Sequence, residues 1–124
     1  MSVALVSPIL ASVKAPKGSH IAPDRLAKRL NMTLAELARL ARVHRNTLGR
    51  APASPDVQRS LSAIVAILDR AANIASGDEN LAVYWFRYQL LPAFDKETAA
   101  DLVRQGYGDA VMEVLDMVED GVPA

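Results

Sequence analysis

The sequence predicts an all-α fold: a short N-terminal helix-turn-helix unit followed by a small helical domain. Three observations predict it. Apolar residues recur at i, i+3 and i+4 spacing through most of the chain. Helix starts are marked by side chains able to satisfy free backbone N–H groups, as at Thr33 and Ser54. Helix stops are marked by Gly or Pro, as at Gly77, Pro92 and Gly121. With 124 residues, 51 % of them hydrophobic, the chain can bury one modest core or two small helical subdomains.

Residues 1–19 carry Pro8, Pro16 and Gly18 and read as an arm that is flexible unless a partner orders it. Their apolar start has no basic leader and is too short to span a bilayer, so a cytoplasmic protein is expected. Residues 20–53 form the next unit. Pro23 suits a first helical turn, where its missing N–H is tolerated, and Leu26 and Leu30 share one face of a short helix ending near Asn31. Thr33 and Glu36 form a Thr-x-x-Glu capping box, each side chain answering the other residue's backbone N–H. Leu34, Leu37, Ala38 and Ala41 line one face of the helix that follows. After a break at Arg42 and Val43, the segment from His44 to Arg50 forms a third short helix. It bears Arg45, Asn46 and Arg50; Arg suits the O6 and N7 atoms of guanine and Asn the N6 and N7 atoms of adenine.

Residues 54–124 form the second domain. Ser54 caps, Pro55 takes the first helical position and Asp56 suits the positive end of the helix dipole. Val57, Leu61, Ile64, Val65 and Leu68 then make one apolar stripe that faces a core or a dimer mate, and it is the candidate seam of a homodimer. Asp78 caps a further helix containing Leu81, Tyr84, Trp85, Phe86 and Tyr88, which must stop near Leu91 because Pro92 follows. A short helix begins near Lys96, with Thr98 and Asp101 near its start. The last helix, about Asp109 to Asp120, puts Val111, Val114, Leu115 and Val118 on one face before Gly121 halts it.

Charge divides the chain. Up to Arg59 there are ten Lys or Arg against three acids, a net +7, and from Ser60 onward four against eleven, a net −7. Such asymmetry suits two kinds of partner, with a polyanion expected at the basic half. No cysteine is present, so disulfides and thiolate metal sites are excluded, and His20 and His44 alone make no histidine-rich site. Neither histidine is flanked by a nucleophile and an orienting acid, and no Gly-rich phosphate loop follows a strand. No catalytic residue, cofactor or metal is therefore expected, and no helix has the Lys-rich amphipathic form of a membrane binder.

The stretch from Thr33 to Arg50 resembles the helix-turn-helix of Xre and lambda-repressor-like regulators, with Thr33, Glu36-Leu37-Ala38, Val43 and Thr47-Leu48 at the matching places. Arg42 stands where such motifs often use Gly to reach positive φ, and His44 replaces the usual Ser-type cap. The resemblance implies that Thr33, His44, Arg45, Asn46, Thr47 and Arg50 form a DNA-binding set, with the second helix entering the major groove and a dimer reading two half-sites.

The run containing Trp85, Leu91-Pro92, Phe94, Thr98, Leu102-Val103, Gly106, Val111, Leu115 and Gly121-Val122-Pro123-Ala124 looks like the C-terminal toxin-binding domain of Xre/MbcA/ParS-type antitoxins. The likeness covers about Pro55 to Ala124, and Lys96-Glu97 departs from it where many members have Gly next to a basic residue. The resemblance implies a RES-domain toxin partner that consumes NAD or transfers from it. It also implies that the antitoxin's end covers the toxin's cleft, giving Trp85, Asp120, Gly121, Val122, Pro123 and Ala124 as the toxin-binding set. Operator DNA would be the second partner. The alternative is a helix-turn-helix transcriptional regulator with no toxin partner, whose C-terminal half serves dimerisation only.

Overall fold

The computed structural model of the chain describes residues 8–121, and among them the fold is all-α, with eight α-helices, one short 3-10 turn and no strand. The chain divides into two compact units between Val65 and Ala66. Residues 60–65 carry no charge, so the net +7 and the net −7 fall one on each unit.

The first unit begins with α1 (Pro8–Val13), α2 (Pro23–Arg29), α3 (Leu34–Ala41) and α4 (Arg45–Arg50), each packed on the next. Within the stretch read from sequence as an arm, Pro8–Val13 form a helix. Ile9 and Val13, at i, i+4 spacing, are fully buried in α1, which packs on α2. Pro8 is the first residue of this helix, a place that tolerates its missing N–H. Gly18, at φ 121°, supplies the reversal that lets Lys14 and Ile21 bridge, with the Ala22 N–H donating to the Val13 carbonyl at 2.8 Å. The residue signals taken for mobility are those of a helix start and a tight turn.

Helix α5 (Pro55–Ile74) starts on its Ser54 cap and contains the unit boundary. Its stripe of Val57, Leu61, Ile64, Val65 and Leu68 is buried within the chain, each residue no more than 3 % exposed, so of the two readings, core or dimer seam, it is core. Gln58 makes a contact that periodicity does not announce. Its side-chain oxygen accepts the Ile21 N–H at 2.8 Å, while its amide nitrogen donates to the carbonyls of Ile21 (2.9 Å) and Pro52 (2.8 Å).

The second unit contains α6 (Glu79–Tyr88), α7 (Ala99–Arg104) and α8 (Gly108–Glu119), with α6 on α7 and α7 on α8. Phe86, Leu91, Val111, Val114 and Leu115 are buried. Asp78 caps α6 by accepting the Leu81 N–H at 3.0 Å. That helix ends at Tyr88 and not near Leu91, because Gln89 turns extended and the Leu91 N–H donates to the Glu97 carbonyl at 2.8 Å. Helix α7 starts later than Lys96 for a related reason. Asp95 and Lys96 both have positive φ and form a reversal, and Thr98 and Asp101 then make a complete capping box.

Candidate functional site

Two surfaces carry the candidate residues, one in each unit. On the first, Thr33 and Glu36 exchange their capping hydrogen bonds at 3.1 and 3.0 Å and fix the start of α3. Thr33 Oγ1 thus accepts a backbone N–H while the residue stays exposed. Arg42 ends α3 in the left-handed conformation (φ 60°, ψ 37°), the geometry that its place in the turn demands. His44 follows as the N-cap of α4, its Nδ1 accepting the Asn46 N–H at 3.1 Å. An imidazole nitrogen does the work of a Ser hydroxyl.

Buried Leu48 then turns α4 so that His44, Arg45, Asn46, Thr47 and Arg50 are all exposed. Arg45, Asn46 and Arg50 border a concavity of about 260 Å³ that also involves Leu34, Leu48 and Gly49. At Gly49 a Cβ would meet no heavy atom within 4 Å, so the backbone of α4 is open on this side. The surface offers two guanidinium groups, a carboxamide and an imidazole on one short helix, a donor-rich face suited to phosphates and base edges.

On the second unit, Trp85 is half-buried and borders an apolar groove of about 360 Å³. Small Ala71 and Ala75 of α5, Leu81 and Tyr84 of α6, and Leu115 and Val118 of α8 also line it. Asp120 is exposed at the C-cap of α8, and Gly121 follows at φ 84°, its N–H donating to the Val118 carbonyl at 3.0 Å. Val122, Pro123 and Ala124 lie outside the described residues. The groove thus brings Trp85 beside α8, the helix whose end carries Asp120 and Gly121.

Sequence reasoning passed over three features of this unit. Arg70 of α5 pairs with both Asp116 and Glu119 of α8, its Nε donating to Glu119 at 2.6 Å, and these carboxylates raise its pKa, Asp116 most. Leu81, Tyr84 and Tyr88 are exposed while Ala82, Val83 and Phe86 of the same helix are buried. Their spacing with Trp85, at i, i+3, i+4 and i+7, was the available signal of a second apolar face. Asp101 is the third. Its carboxyl is held below the ordinary aspartate value, first by the Thr98 backbone N–H, and Arg104 adds to the effect.

Among the described residues no three His, Cys, Asp or Glu side chains gather as a metal site, and no helix is long and apolar enough to cross a membrane. Comparison of the chain with protein-family models, with curated proteins and with solved structures finds no match.

Proposed function

We propose that the protein is the antitoxin of a toxin–antitoxin pair acting in the cytoplasm. Its acidic unit neutralises a RES-domain toxin by placing the segment Asp120 to Ala124 over the toxin's active site. Its basic unit binds operator DNA through α4 and represses the pair's own expression. One observation carries this reading most: the sign of charge changes at the boundary between the two compact units, and the positive one exposes Arg45, Asn46 and Arg50 together. The motif resemblance gives the two partners their names. One short helix offers few base contacts, so two copies on a two-fold operator are part of the proposal.

Co-expression with the RES-domain toxin tests the toxin half. Growth is expected to be restored, toxin and antitoxin are expected to co-purify, and removal of Gly121 to Ala124 is expected to abolish the rescue. Absence of rescue and of a complex would leave only the regulator reading, in which operator binding alone survives. For the DNA half, Arg45→Ala and Arg50→Ala are each expected to weaken a mobility shift on the upstream region by about 1–3 kcal/mol. Unchanged shifts in both variants would remove α4 from the interface.

A further inference from the structure

We propose that the outer face of α6, together with the groove it shares with α8, is an anchor for the partner protein distinct from the C-terminal segment. It takes an amphipathic helix of the toxin that carries aliphatic side chains on one face and Lys or Arg at its edges. This inference rests on the antitoxin reading and adds a second contact to it.

Helix α6 has two unlike faces. One face is spent on the core, where Phe86 is 0 % exposed. The opposite face leaves Leu81, Tyr84 and Tyr88 at 52 %, 60 % and 54 % exposure, with Trp85 between them half-buried. A contiguous row of large apolar side chains on one helix face is what a protein interface presents and what a solvated surface avoids. Tyr and Trp are also the residues that most often dominate binding energy at such interfaces. The row is ordered in advance. The Tyr84 and Tyr88 rings lie 5.2 Å apart in a tilted arrangement, and the Arg87 guanidinium sits 5.1 Å above the Tyr88 ring. Beside it, Ala71 and Ala75 keep the groove open between α6 and α8, leaving room for side chains of a docking helix to insert.

Charge selects the occupant. Asp78, Asp116, Glu119 and Asp120 stand on the segments that bound the groove, against two cations, Arg70, which Asp116 and Glu119 hold, and Arg87, which lies over Tyr88. The unit as a whole carries −7. A second copy meeting this face with its own acidic unit would bring the same charge, and a nucleic acid or an anionic lipid would be repelled likewise. The basic unit of a second copy has the right charge, but among its described residues Leu34 is the one exposed large apolar side chain, too little to fill the groove. A helix with an apolar face and basic edges satisfies both the groove and its rim. The anchor and the C-terminal segment share α8, with Leu115 and Val118 in the groove and Gly121 where the segment departs. Docking at the groove therefore raises the effective concentration of the segment that follows α8 at the toxin's cleft.

The test uses the full chain with 5-fluorotryptophan at Trp85, its sole tryptophan, titrated with the purified RES-domain toxin. Binding is expected to shift the fluorine resonance. Tyr84→Ala and Tyr88→Ala are each expected to raise the Kd at least about tenfold with unchanged thermal melts, because both side chains are exposed. Tyr84→Lys, which leaves no cavity and sets a cation against the basic edge, is expected to do at least as much. Removal of Gly121 to Ala124 is expected to abolish inhibition of the toxin while the complex and the fluorine shift persist. If wild type binds and the Tyr84 and Tyr88 variants bind equally well, the anchor is overturned and the antitoxin reading stands. If wild type does not bind, both fall. If the same substitutions instead convert a dimer of the free chain to monomer in sedimentation, the occupant is a second copy and the proposal is overturned.

Discussion

Lys96 occupies a backbone site that suits a different residue. It follows Asp95 (φ 54°) at φ 67°, and the Glu97 N–H closes the reversal on the Phe94 carbonyl at 3.1 Å. Two consecutive positive-φ residues in so tight a turn favour Asp-Gly, because Gly has no Cβ to clash. Lys96→Gly is expected to stabilise the protein by about 0.5–1 kcal/mol, the relief of left-handed strain exceeding the added freedom of the unfolded chain. A melting temperature that stays level or falls would contradict it. At His44 the conformation is right and the chemistry unusual. His44→Ala is expected to cost about 1 kcal/mol by leaving the Asn46 N–H uncapped, whereas His44→Ser restores it, both read from urea midpoints. Asp101 adds a dependence on pH. Its folded-state pKa is depressed, so its contribution is present above the ordinary aspartate value of 3.8 and is lost as pH falls through the lower folded value. Asp101→Asn is expected to flatten the decline of stability between neutral pH and that acid range; an unchanged slope would place the acid sensitivity elsewhere.

At the scale of the element, Gln58 joins the start of α5 to Ile21 and Pro52 by three hydrogen bonds. Gln58→Leu keeps the size but leaves the Ile21 N–H and two carbonyls without this partner. Stability is expected to drop by about 1–3 kcal/mol, measured by chemical unfolding, and a loss below about 0.5 kcal/mol would mean that water replaces the amide. Gln58 also shows where reading from sequence stops. The capping boxes at Thr33 and Thr98, the Ser54 and Asp78 caps and the Gly121 stop are local, so they were legible, or nearly so, from the chain alone. A glutamine that bonds a backbone 37 residues away leaves no local mark. Helix α1 is not legible from sequence because Pro and Gly mark mobile segments and tight turns equally, and the burial of Ile9 and Val13 is a long-range fact. The α5 stripe was open to two readings for the same reason. Periodicity shows that a face is apolar but not what covers it. On α6 a whole apolar face went unremarked, since Leu81, Tyr84 and Tyr88 have core-like identities and become informative only when found exposed.

For the whole molecule the legible quantity was charge, and the structure gave it a location: +7 in residues 1–65 and −7 in residues 66–124. A net charge of zero removes the long-range repulsion that keeps like molecules apart. The basic unit of one molecule and the acidic unit of another then attract. Such a contact joins unlike surfaces, a basic unit to an acidic one. Salt sets its range. The screening length is about 30 Å at 0.01 M and about 8 Å at 0.15 M, so attraction between whole units survives in the first condition and is largely screened in the second. Sedimentation of the purified protein is therefore expected to show concentration-dependent assemblies near 0.01 M salt, dissolving at about 0.15 M and above. Heparin at low salt is expected to dissolve them too, by occupying the basic unit as DNA would. Assemblies that persist through added salt and heparin would instead be held by apolar contacts, with the exposed face of α6 the first place to seek them.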